Sequence, residues 1–131
     1  MKIQILPLVT GAQEATGLTV IIDVFRAFSL EAYMYASGAK KVIPVKTVED
    51  ALALKKEHPS YILVGERKGI KVEGFDYGNS PSEFVGVDLS GKTLIHTTSA
   101  GVLGLASAVN ASQIVTGALV NAKATAKYIL E

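Results

Sequence analysis

The amino-acid sequence predicts an α/β domain: three layers, α/β/α, around a mostly parallel sheet, with a ligand site at the carboxyl ends of the strands. Three observations lead there. Short apolar, β-branched runs recur along the chain with helical patterns between them, which implies crossover connections and parallel strands. The runs are continuous rather than alternating, so both faces of each strand are buried. Polar residues collect immediately after those runs. With 131 residues, the chain fits a single domain, 1–131.

The elements follow in order. Lys2 to Leu6 is a candidate first strand, and Leu18 to Ile22 is the first strong one. Leu30, Tyr33 and Met34 lie at i, i+3 and i+4 of a helix, with Gly38 as its stop. Lys41 to Val45 is a strand at an edge or ending there, because Pro44 cannot donate to a ladder. Thr47 caps a helix with Val48, Ala51 and Leu52 on one face, ended by Pro59. Tyr61 to Val64 is a strand. Gly65 to Glu83 is a long loop rich in Gly and charge, and long loops in compact domains are commonly functional. Near its end, Ser80-Pro81-Ser82-Glu83 matches a capping box with Pro at the first helical position. Thr93 to His96 and Gln113 to Thr116 are strands flanking a helix that contains Val102, Leu103 and Ala106. A last helix places Ala122, Ala126 and Ile129 on one face.

Composition excludes several classes. Hydrophobic residues at 49% with charged residues at 19% rule out a disordered chain. No Cys is present, which removes disulfide frameworks, thiolate metal sites and Cys nucleophiles. A formal net charge of +1 gives no global field for nucleic acid or an anionic membrane. No charged residue occurs from Thr93 to Ala122, but hydroxyls, amides and glycines interrupt the stretch, so it reads as domain interior rather than a membrane span. The N-terminal apolar run is too short for a secretory signal, and the expected location is cytoplasmic.

The functional reading rests on position. Asp23 and Arg26 follow the first strong strand, Glu66 and Arg67 the strand through Val64, and Thr97, Thr98 and Ser99 the strand through Ile95. In parallel strands these groups share one edge, where open α/β sheets bind ligands. The loop with Asp76, Asn79 and Ser80 leaves from that edge. Each group also has an ordinary reading: turn residues, surface charges, or a helix cap.

The chemistry points to a phosphate. Thr98, Ser99 and Gly101 run from strand into helix, where N–H groups and hydroxyls favour an anion. Arg26 and Arg67 can clamp it. Asp23, Glu66 and Asp76 are hard oxygen ligands suited to Mg²⁺, which uses one or two carboxylates with phosphate oxygens and water; a metal-bound water would make the site a hydrolase. The P-loop, the G-x-G-x-x-G fingerprint, the D-x-D aspartyl-phosphate motif and the G-x-S-x-G elbow are all absent. Two separated His and no Cys argue against zinc. His96, inside a strand, reads as a structural His.

Asp23-Val24-Phe25-Arg26-Ala27 with Ser29, then Gly38-Ala39-Lys40, Gly65-Glu66-Arg67, Lys71, Gly74-Phe75-Asp76, Gly78-Asn79-Ser80-Pro81 and Glu83 occur in an order that resembles the 2-phosphosulfolactate phosphatase (ComB-like) family. Thr97-Thr98-Ser99 before Gly101 is similar to that family's Thr-rich motif. The resemblance implies an α/β fold and Mg²⁺-dependent removal of phosphate from 2-phosphosulfolactate, a step of coenzyme M biosynthesis. Carried over by motif, it assigns Asp23, Arg26, Glu66, Arg67, Asp76, Asn79, Thr97 and Thr98 to the site. Ala100 stands where the family commonly has Asn, Val102 where it has Thr, and Phe28 where a small hydroxyl residue is usual. Family chains are also longer, with further motifs in a C-terminal half. The sequence therefore predicts a phosphatase acting on a small anionic phosphoester or sulfonate. The alternatives are a non-catalytic anion-binding or regulatory module, and one half of an assembly completed by a homo-oligomer or a partner chain.

Overall fold

A computed structural model describes all residues, 1–131. The chain runs α1 (Leu8–Glu14), β1 (Gly17–Ile22), α2 (Ala27–Ala36), β2 (Lys41–Pro44), α3 (Val48–Glu57), β3 (Ile62–Arg67), β4 (Ile70–Lys71), a 3₁₀ turn (Pro81–Phe84), β5 (Thr93–Thr97), α4 (Gly101–Ser107), β6 (Ala111–Gly117), a second 3₁₀ turn (Leu119–Asn121) and α5 (Ala122–Leu130). The α/β class and the parallel strands match expectation. Instead of one sheet there are two. Strand β1 pairs with β6 in a parallel ribbon, and a four-stranded sheet has the order β2-β5-β3-β4, parallel except for β4. Lys2 to Leu6 forms no strand. Pro44 sits on the edge strand β2, where its missing N–H costs no ladder bond.

Helix α2 joins the two sheets. Leu30 and Met34 pack with Val64, Phe84, Leu89 and Leu94 on the four-stranded sheet. Ala27 and Phe28 meet Ala118, Ile21 and Leu105 on the other side. The buried residues of α2 are Ala27, Phe28, Ser29, Leu30, Glu31 and Met34, and Tyr35 on its outer side is exposed. The helix ends as Gly38 predicted: Gly38, at φ +96°, donates to Tyr35 O at 3.0 Å, and Ala39 donates to Met34 O at 3.1 Å. This is the paired bonding of a Schellman stop. Tyr33, placed with Leu30 and Met34 by spacing, is exposed.

Across the four-stranded sheet, α3 brings Ala51 against Leu63, Phe75 and Ile95. Thr47 Oγ1 accepts the Asp50 N–H at 3.0 Å. Glu49 and Asp50 begin the helix and Lys55 and Lys56 end it, which complements its dipole. In α5 the inward positions are Thr125, which is buried, and Ile129, which is half-buried, rather than Ala122 and Ala126. Lys123 and Lys127 mark the outer face of this helix, and Thr125 and Ile129 lie opposite them. No helix is long and apolar enough to cross a membrane.

Candidate active site

Strands β1, β3 and β5 carry polar residues out at their carboxyl ends, although β1 belongs to a different sheet. There Asp23, Phe25, Arg26, Glu66, Lys68, Gly69, Asn79, Thr98, Ser99 and Ala100 line a cleft of about 220 Å³. Asp23, Arg26, Glu66, Asn79, Thr98 and Ser99 are thus where the strand-end argument put them.

Glu66 organises the floor. Its Oε1 accepts the Ser99 N–H at 2.6 Å, and its Oε2 accepts the Gly69 N–H at 2.7 Å and the Ser99 hydroxyl at 3.0 Å. Burial opposes ionisation of Glu66, but these bonds and the Arg67 charge outweigh it and hold the carboxyl below its usual range. The N–H of Ser99 is therefore committed to Glu66. The N–H of Val102 is committed to Thr98 Oγ1, at 3.2 Å. The anion site expected from free groups at the start of α4 is reduced accordingly.

Asp23 behaves in the opposite way. Burial, with the Glu66 charge added, raises its pKa; N–H groups of Ala27 and Phe25 and the positive side of His96 resist that shift. Gly101 lies directly against it. A Cβ at that position would sit 2.6 Å from Asp23 Oδ2 and 2.8 Å from the Ala27 Cβ. Gly101 is thus needed for close approach rather than as a direct ligand contact.

The 78–83 segment has a defined task. Glu83 Oε2 accepts the Gly78 N–H at 3.0 Å and Oε1 accepts the Ser80 N–H at 3.3 Å. The carboxylate thereby brackets Asn79 and presents it to the cleft. Ser80 Oγ contacts Ser82 Oγ at 2.8 Å, so only the Glu83 half of the capping box is formed. Ser80 supports the turn and does not line the cleft.

Three further expected residues are structural. Arg67 turns away from the cleft, donating to Glu66 O at 2.7 Å, Lys46 O at 3.0 Å and Thr97 Oγ1 at 2.8 Å. Its neighbour Glu66 takes the cleft side because successive side chains alternate along a strand. Thr97 is buried as Arg67's acceptor. Asp76 Oδ2 accepts the Leu63 N–H at 2.8 Å, fastening the loop at the far end of β3.

This placement bears on a metal. Asp23 and Glu66 share the cleft without Asp76, and no group of at least three His, Cys, Asp or Glu side chains could hold an ion. A smaller set does suit Mg²⁺, which takes few protein ligands when phosphate and water supply the rest. Asn79 Oδ1 is buried without a hydrogen-bond partner, in the same cleft lining as the Asp23 carboxyl. Two hard oxygens, one lacking a donor, fit a hard cation.

His96 is fully buried and its Nδ1 lies 3.2 Å from Glu31 Oε1, which agrees with a structural role. Phe25, Lys68 and Gly69 are the cleft residues that the strand-end reading did not single out. No local signal marked the Lys68-Gly69 turn, because Lys-Gly is not among the favoured two-residue hairpin pairs.

The profile of the 2-phosphosulpholactate phosphatase family matches residues 5–131. The chain belongs to that family. A probable 2-phosphosulfolactate phosphatase of Bacillus subtilis (strain 168) is 39% identical over 112 residues, covering 86% of this chain and 49% of that protein. Proteins of the same name from Carboxydothermus hydrogenoformans and Clostridium tetani are 46% and 44% identical, covering 86% and 85% of this chain and 46% and 48% of theirs. The chain thus spans about half the length of these curated 2-phosphosulfolactate phosphatase relatives.

Proposed function

We propose that this cleft hydrolyses a small acidic phosphoester, 2-phosphosulfolactate or a close analogue, to the alcohol and phosphate, with Mg²⁺. The observation that carries the reading is the convergence of Asp23, Arg26, Asn79, Thr98 and Ser99 in one cleft, in a chain whose relatives are named for that activity. Phosphoryl transfer depends mainly on positioning and charge neutralisation. Arg26 would pair with the phosphate oxygens, and the Thr98 hydroxyl, which accepts the Val102 N–H and has its own proton still to give, would donate to them. Asp23 and Asn79 Oδ1 would hold Mg²⁺, which when bound supplies positive charge to the phosphate. Glu66 would act one step back, fixing Ser99 and the Gly69 turn.

The test is phosphate release from a phosphoester panel with Mg²⁺. Wild-type protein should exceed Asp23→Asn and Arg26→Ala by at least about 10². Release equal to that of Asp23→Asn on every ester, 2-phosphosulfolactate included, would end the reading.

Three observations favour alternatives. Ala100 borders the cleft, and Arg67 and Asp76 are engaged elsewhere; both suit a module that binds anions without turnover. Phosphate raising the melting temperature while no ester is cleaved would identify it. Separately, the β1–β6 ribbon has only two strands, and Ile22 on it is 71% exposed. Apolar strand surface of this kind calls for cover, from a second copy or a partner chain. Light scattering should then give a mass of at least two chains; a monomer at micromolar concentration would count against self-assembly.

A further inference from the structure

We infer that Lys68 is a phosphate-binding residue of this cleft, carried at the tip of the β3–β4 hairpin in place of the turn residue that the backbone would favour. The inference rests on the anion-site reading above and adds a residue to it.

The hairpin joins Arg67 to Ile70, which are paired across the ladder, through Lys68 and Gly69 alone. Their φ values are +53° and +79°. Positive φ at both central positions is the type I′ arrangement, which matches the twist of the flanking strands and favours Asn-Gly or Gly-Gly. Gly69 suits its position. Lys68 does not: a side chain with no means of hydrogen-bonding its own turn is strained in the left-handed region. Retained strain of this kind is concentrated at functional sites.

The turn's other bonds make no use of the lysine side chain. The Lys68 N–H donates to Ser99 Oγ at 3.2 Å, and the Gly69 N–H donates to Glu66. Any residue would supply the first of these. The ion pairs of the chain are His96–Glu31 and Lys127–Glu131, so the Lys68 ammonium is unpaired. Lys68 also lines the cleft with Arg26. Arg67, the second cation the sequence suggested, spends its guanidinium on three acceptors outside the cleft. Lys68 is therefore the cation beside Arg26 that remains available to an anion. As a compact point charge on a flexible stem, it can follow a phosphate without the fixed geometry a guanidinium needs.

The experiment compares wild type, Lys68→Asn and Lys68→Arg by thermal denaturation with and without inorganic phosphate, and by phosphate titration. Without phosphate, Lys68→Asn should melt higher than wild type by about 2–5 °C, because Asn relieves the turn. With phosphate, it should bind about tenfold more weakly, while Lys68→Arg stays within about threefold of wild type. A variant that gains stability and loses anion affinity has lost a functional side chain, not a structural one. Lys68→Asn binding phosphate as tightly as a responsive wild type would overturn the Lys68 assignment alone. So would a fall in its phosphate-free melting temperature. A wild type that neither shifts nor titrates with phosphate would overturn the anion-site reading and this inference with it.

Discussion

The Glu66 carboxylate holds the Ser99 N–H at 2.6 Å and the Ser99 hydroxyl at 3.0 Å, locking the ends of adjacent strands β3 and β5 into one cleft floor. A carboxylate so held belongs to the frame of the site. Replacing it by Gln leaves two N–H donors and a hydroxyl with a weaker, partly mismatched acceptor. Glu66→Gln should cost about 1–3 kcal/mol by denaturant unfolding at neutral pH. The sign of its pH dependence follows from the lowered carboxyl pKa. The stabilisation is complete above the usual value of 4.5 and is lost as pH falls through the folded value. The stability gap between wild type and Glu66→Gln should therefore close below pH 4.5, and a gap constant across that range would refute the assignment.

Asp23 predicts the reverse sign. Its pKa is raised from 3.8, so the folded state disfavours the carboxylate and native stability declines as pH rises from that value through the folded pKa. Asp23→Asn should melt higher than wild type at neutral pH and converge with it in acid. The same variant should lose activity by about 10²–10³. Thermal unfolding across pH, run beside the phosphate-release assay, checks both halves.

Gly101 and Gly104 form a matched pair within α4. A Cβ on Gly101 would press on Asp23 and Ala27 at 2.6 and 2.8 Å, whereas one on Gly104 would meet Ile21 Cγ2 at 3.4 Å. Gly101→Ala should cost about 1–3 kcal/mol and displace Asp23, lowering activity as well. Gly104→Ala should be neutral or gain up to about 1 kcal/mol from helix propensity. Equal effects at the two positions would contradict the packing described.

Arg67 and Asp76 should behave as fasteners. Arg67→Ala strands the acceptors Lys46 O and Thr97 Oγ1, and Asp76→Ala strands the Leu63 N–H. Each should cost about 1–3 kcal/mol. Asp76→Asn, which keeps an acceptor, should cost less than about 1 kcal/mol. Phosphate affinity should stay within about twofold of wild type in all three, measured by titration of the folded fraction. A larger loss in Arg67→Ala would return that guanidinium to the site.

The sequence by itself determined the alternation of strand and helix, the Schellman stop at Gly38, the Thr47 cap, the edge position of Pro44 and the strand ends where polar residues gather. These are local matters. Backbone conformation, capping and the burial of a continuous apolar run depend on residues within a few positions of each other, and the ordered motifs carried the family as well. Which of the polar residues share the cleft was decided only by tertiary structure. Glu66 and Arg67 are adjacent in the chain, yet strand alternation sends one to the cleft and the other to Lys46 and Thr97. Asp76 and Asn79 lie in one loop, yet Asp76 is spent on the start of β3 while Glu83 turns Asn79 inward. The division of the strands into two sheets, with α2 packed against both, depends on which apolar faces meet across long sequence separations, and no local pattern encodes that. Lys68 is the clearest case: Lys-Gly inside the long loop is not a favoured hairpin pair, and its place beside Arg26 exists only once β1 and β3 come together.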